Sequence, residues 1–168
     1  MNHRAWLRLS AKTIHDIASI GFGGALASCL VINLTTNPVA TAEFLAARQV
    51  LAVITKFVLV PAMALMTLSG LFALAATRGY RDAGWAWLKA FFGINVFAAT
   101  LLLAGSASNL SEIAAAVSAA DLASLERQLR SERITLWLLI VLVMVNVVLA
   151  VWRPKLTFKA RQSPYTDA

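Results

Sequence analysis

Four apolar runs, each close to the length that crosses a bilayer, dominate this sequence. They cover residues 17–34, 57–77, 85–106 and 134–152. A helix of about 20 apolar residues matches the ~30 Å hydrocarbon layer. Inside that layer no water is present to bond the backbone, so helices satisfy N–H and C=O groups within each segment. The expected fold is all-α: an integral membrane four-helix bundle, read as a single four-span domain over 1–168, with 153–168 as a polar tail. Composition agrees. Apolar types make up 60% of the 168 residues and charged types 14%, and mean hydropathy is +0.73. A water-soluble domain is nearer half apolar and a quarter charged.

Each run has local features. The first opens on Lys12, His15 and Asp16 and carries Gly21, Gly23, Gly24, Ala25, Ala27 and Ser28, small residues that let a neighbouring helix come close. Leu26-Ala27-Ser28-Cys29 matches a lipoprotein cleavage pattern. However, His15 and Asp16 interrupt the preceding region and apolar sequence continues through Ile32, so an uncleaved helix is expected. Cys29 is the only cysteine, which excludes an intramolecular disulfide. Asn37-Pro38 marks a loop. The pattern from Thr41 to Lys56 extends the second helix outside the membrane, and Pro61 inside it predicts a kink. Arg78-Gly79-Tyr80-Arg81-Asp82 reads as a tight turn.

Residues 109–133 differ in kind. Charges alternate with Ala and Leu, Asn109 and Glu112 have capping-box spacing, and Leu122, Leu125 and Leu129 share one helical face. The expectation is a short amphipathic helical segment, of one or two helices, lying on the membrane surface between spans three and four.

The net charge of +7 follows this pattern and does not point to nucleic acid. Arg4, Arg8 and Lys12, then Arg78 and Arg81, then Arg153, Lys155, Lys159 and Arg161 fall on one side of a four-span chain. The positive-inside rule makes that side the cytoplasm. Both termini are then cytoplasmic, the 109–133 segment is extracytoplasmic, and the expected location is a bacterial inner (plasma) membrane. Trp6, Trp85, Trp87 and Trp152 fall near the cytoplasmic interface and Trp137 near the outer one.

A charge inside the membrane costs about 2.5–3.5 kcal/mol on insertion scales, so such residues are the candidates for function. His15 can ligate a metal such as haem iron or move a proton. It can equally be an interfacial histidine beside the helix-starting Asp16. Lys89, about one turn inside span three, can pair with an acidic group or extend its ammonium to the headgroups. Topology puts His15 and Lys89 at similar depth. Lys56 reads as an anchor. Asn33, Asn95 and Asn146 read as amides bonding between helices, and Met63 and Met66 as packing. No Cys/His cluster, phosphate loop or Ser/His/Asp set has the spacing its chemistry needs.

Four motifs carry a resemblance: Lys12-Thr13-Ile14-His15 before a Gly-rich helix, Pro61-Ala62-Met63 with Gly70-Leu71, Trp85-Ala86-Trp87-Leu88-Lys89, and an Arg/Glu-rich stretch before a span ending in Arg153-Pro154-Lys155. The layout resembles the HemJ-type protoporphyrinogen IX oxidases and the CopD-like four-span membrane families. That resemblance implies haem b or a porphyrin as cofactor. It makes His15 and Lys89 the cofactor-binding positions, with His15 the metal ligand. The further histidine of HemJ-type span three has no counterpart in residues 95–101.

Two functional expectations result. One is a haem- or porphyrin-binding protein in a redox or tetrapyrrole-related role. The other is a non-enzymatic accessory subunit or assembly factor, whose partners are the lipid bilayer and a second copy or a membrane complex. Scarce buried charge argues against a transport path through one chain.

Overall fold

The computed structural model describes residues 3–39, 41–76 and 83–152. The order is α1 (His3–Thr35), α2 (Thr41–Ile54), a π-helical turn (Thr55–Leu59), α3 (Val60–Ala76), α4 (Gly84–Ser108), α5 (Leu110–Ser118) and α6 (Leu122–Trp152). The π turn joins α2 to α3 without a break, so Thr41–Ala76 is one 36-residue helix, and four helices are long and apolar enough to cross a membrane. The all-α membrane bundle expected from hydropathy is therefore the observed architecture. The turn expected at 78–82 and the tail at 153–168 lie outside the described residues.

The packing order follows the chain. α1 packs on α3, α3 on α4, α4 on α6, and α6 returns to α1, closing a ring of sequential neighbours. Its core joins Phe22, Leu26 and Cys29 of α1 to Leu51, Leu59, Ala62 and Met63 of the second helix. Val96 and Leu103 of α4 and Leu136 and Leu139 of α6 complete it. Small residues set the α1–α3 approach: a Cβ added at Gly21 would stand 3.9 Å from the Ala62 Cβ. The outward faces remain apolar, with Ile20, Phe57, Leu68, Leu102 and Val151 exposed. Such faces suit lipid rather than water.

Pro61 has no N–H to donate, and the chain accommodates it in the preceding turn. The Val60 N–H bonds the Thr55 carbonyl, five residues back. Two buried hydroxyls in the spans turn onto their own helix, while that of Thr67 has no partner among the described residues. Thr55 donates to the Leu51 carbonyl at 2.7 Å and Thr100 to the Val96 carbonyl at 2.7 Å. This satisfies the polar group where no water is at hand.

The helices are longer than the expected spans. At 1.5 Å per residue the Thr41–Ala76 helix is about 54 Å long, well beyond ~30 Å of hydrocarbon. The upper part of α2, α5 and the first turns of α6 therefore stand outside it. There Phe44, Ile113, Leu125 and Leu129 form a second buried cluster. The 109–133 segment is amphipathic as expected, but it divides differently. Only α5 is a separate short helix. From Leu122 onward the chain is already the helix that becomes the fourth span. Leu125 and Leu129 pack against α2 and α5 as a cap, while Leu122 stays exposed, because Phe44 offers the two a protein partner in place of the membrane surface.

The joints of the cap are local. α5 starts after Asn109, whose amide bonds the Glu112 carboxylate at 3.3 Å rather than a backbone N–H, so half of the capping box is replaced by a side-chain pair. α5 ends with Ala120 at φ 53°, while the Asp121 N–H reaches back to the Ala116 carbonyl at 3.0 Å. An alanine in this left-handed region costs about 1 kcal/mol. Asp121 then caps α6, its carboxylate accepting from the Ser124 N–H at 3.1 Å.

Those bonds from the Ser124 hydroxyl and N–H hold the Asp121 carboxyl below its ordinary range. A depressed folded-state value gives stability that is present above the unfolded value and lost as pH falls through the folded one. Acidification is thus expected to loosen the first turn of α6. Lower amide protection factors at Ser124 and Leu125 below pH ~4 in the wild type, a change absent from Asp121→Asn, check this.

Candidate functional site

Two polar constellations stand at opposite ends of the bundle. The first surrounds His15, half-buried on α1. Its Nδ1 lies 3.1 Å from the Met66 carbonyl and 2.9 Å from the Ser69 hydroxyl. The hydroxyl itself donates to the Leu65 carbonyl at 2.6 Å. A carbonyl only accepts, so it selects the tautomer with the proton on Nδ1 and leaves the lone pair on Nε2. Metal-binding histidines are commonly oriented this way. Gly70 leaves room beside the ring: a Cβ there would stand 3.9 Å from Cε1. Lys89 on α4 is half-buried and close enough for its charge to act on His15, as is that of Asp16. His15 and Lys89 thus stand at the same end of the bundle, within range of each other's charge.

The fit to a haem is partial. His15 supplies one nitrogen with an oriented ring, and Lys89 supplies a cation for a carboxylate. Among the described residues no group of three or more His, Cys, Asp or Glu side chains converges on a metal position. Met63 is buried in the core and Met66 packs against it, as expected of packing residues. One cleft is lined by Trp6, Leu9, Ser10, Thr13 and Ile14; a second lies at the cap end. Neither is walled by His15 or Lys89. Of the groups a haem needs, His15 would offer one nitrogen and Lys89 one cation.

The second constellation is more deeply buried. Arg48 of α2 and Glu132 of α6 form an ion pair with side chains 2% and 1% exposed. It is bidentate: Nη1 donates to Oε2 at 2.6 Å and Nη2 to Oε1 at 2.5 Å. Ser106 at the end of α4 donates to Oε1 at 2.9 Å. The Asn33 amide of α1 donates to Oε2 at 3.4 Å. Asn33 Oδ1 in turn accepts from Arg133 Nε at 3.1 Å. One carboxylate thus ties together all four long helices. The layer lies between the two apolar clusters, with Leu129 above Glu132 and Leu136 below it.

Sequence reasoning missed this pair. Glu132 fell within the 109–133 segment read as lying on the membrane surface, and Arg48 was not singled out. The signal was nonetheless present. Leu125, Leu129, Glu132, Leu136 and Leu139 are all buried, and their alternating steps of four and three define one helical face. Phe44, Arg48 and Leu51 are the buried residues of α2 and do the same. A charged residue inside an inward stripe needs a partner, and here each stripe supplies one. Asn33 does bond between helices, as expected. Asn95 instead bonds the Phe91 carbonyl of its own helix at 2.8 Å, and the buried Oδ1 of Asn146 has no partner among the described residues. Lys56 is exposed, with its ammonium 5.5 Å from the Phe57 ring centroid, in keeping with an anchoring role.

Comparison with protein-family models, curated proteins and solved structures finds no match.

Proposed function

We propose that this multi-pass membrane protein binds haem b or a related anionic porphyrin at its His15–Lys89 end. His15 Nε2 would hold the iron and Lys89 would pair with a propionate. The observation carrying this reading is the Met66 carbonyl on His15 Nδ1, which leaves the ring's lone pair on Nε2. The proximity of Lys89 and the resemblance to HemJ-type and CopD-like proteins support it further. A bound haem would supply one-electron chemistry. The chain's own part is to fix the imidazole and neutralise an acid group at the edge of the hydrocarbon. In this reading the protein resides in a bacterial inner membrane with both termini in the cytoplasm.

The test is an absorption spectrum of protein purified in mild detergent and then titrated with haem. A Soret band is expected, and His15→Ala is expected to remove it or weaken haem binding by at least tenfold. Lys89→Met should weaken binding with little change in band position. Protein that stays colourless after haem addition contradicts the proposal.

A second reading is favoured by one observation. Gly23 and Gly24 point outward, with nothing within 4 Å of a Cβ built on either. A helix of a second copy or of a membrane complex can approach there, which supports an accessory subunit or assembly factor. Gly23→Leu is then expected to abolish co-purification of that partner while leaving insertion intact. A chain that remains monomeric and unaccompanied after gentle solubilisation counts against this reading.

A further inference from the structure

We infer that the cap end carries a binding site for the phosphate of an anionic phospholipid, in a cleft between the α1–α2 turn and α6. The cleft has a volume of about 560 Å³, and its walls include Thr36, Glu126, Arg130, Arg133, Ile134 and Trp137.

Charge identifies the ligand class. Arg130 and Arg133 face the cleft against one carboxylate, Glu126. The carboxylate next to Arg133 in sequence, Glu132, is turned inward and bound bidentately by Arg48. Among the described residues Arg133 donates to Asn33 Oδ1 and, at 3.5 Å, to the Asn33 carbonyl, both neutral oxygens. The burial of the Arg48–Glu132 pair thus leaves the cleft with an excess of positive charge.

Position identifies the source as lipid. The uncharged run begins at Ile134 and continues to Trp152, about 28 Å of helix, so the hydrocarbon boundary lies at Ile134. The two guanidiniums stand within the turn before it, at the depth of headgroup phosphates. Trp137 is 51% exposed and one turn inside, where an indole lies along the first part of an acyl chain. Arginine forks match phosphate oxygens in geometry as well as charge.

The experiment is native mass spectrometry of the full chain in mild detergent with phosphatidylglycerol, phosphatidylcholine or inorganic phosphate. Phosphatidylglycerol is expected to be retained about fivefold or more over phosphatidylcholine, one excess cation near a surface being worth about that factor. Arg130→Gln, at an exposed position, should lower that retention about fivefold, whereas Arg130→Lys should keep most of it. Arg127→Gln, on the same helix but outside the cleft, should change nothing. Equal retention of the two lipids, or equal effects of the Arg127 and Arg130 changes, overturns the inference. Displacement of the lipid by equimolar inorganic phosphate also overturns it, by making the site one for a soluble anion.

Discussion

Glu132→Ala is expected to lower the stability of the full chain by about 3–5 kcal/mol, read as denaturant or thermal unfolding in detergent. The loss exceeds that of an ordinary side-chain truncation because of what stays behind. Arg48 remains fully enclosed with its guanidinium unpaired, and its Nε already lacks a hydrogen-bond partner among the described residues. Ser106 and Asn33 lose their common acceptor at the same time. Arg48→Ala should be comparably harmful, since it strands the carboxylate. The double change Arg48→Met with Glu132→Leu should recover most of the loss and is the decisive control. Replacing a buried pair by apolar side chains is often neutral, or stabilising by 1–4 kcal/mol. If either single variant were as stable as the wild type, the pair would not be buried as described.

Phe44→Ala should cost about 3–5 kcal/mol, but in one place. Phe44 is 1% exposed and is the buried α2 member of a cluster whose other buried members come from α5 and α6. Its removal opens a cavity outside the hydrocarbon, where water can enter. The cap is therefore expected to open as a unit while the spans hold. Amide exchange over residues 110–129 should rise by about a hundredfold or more and stay unchanged over residues 134–148. An increase spread evenly along α6 would show that cap and bundle are not separable in stability.

The spans were legible in the sequence because lipid imposes a single rule, continuous apolar helix, and long runs carry that signal without tertiary information. Helix contacts were less legible. The extension of the second helix back to Thr41 was legible in its pattern and is observed, but what it packs against was not, because Phe44 and Arg48 have partners that only the fold supplies. The 109–133 segment shows the same limit. Its leucine stripe was visible, but a stripe that faces a membrane surface and one that faces another helix look alike over two turns. Following the stripe through Glu132 into Leu136 and Leu139 would have separated them, since no membrane surface runs along the axis of a span. The His15–Lys89 proximity was inferred from depth alone. The orienting Met66 carbonyl was invisible, because it belongs to the backbone of another helix fifty-one residues away.

Side-specific cysteine labelling in sealed membrane vesicles tests the four-span arrangement most directly. In a Cys29→Ser background, Ala123→Cys places a thiol in the cap and Ser163→Cys places one in the tail. A membrane-impermeant maleimide should label one of them in intact vesicles and the other only after the vesicles are opened. Labelling of both from the same side, or recovery of the chain in the aqueous fraction without detergent, would contradict the account.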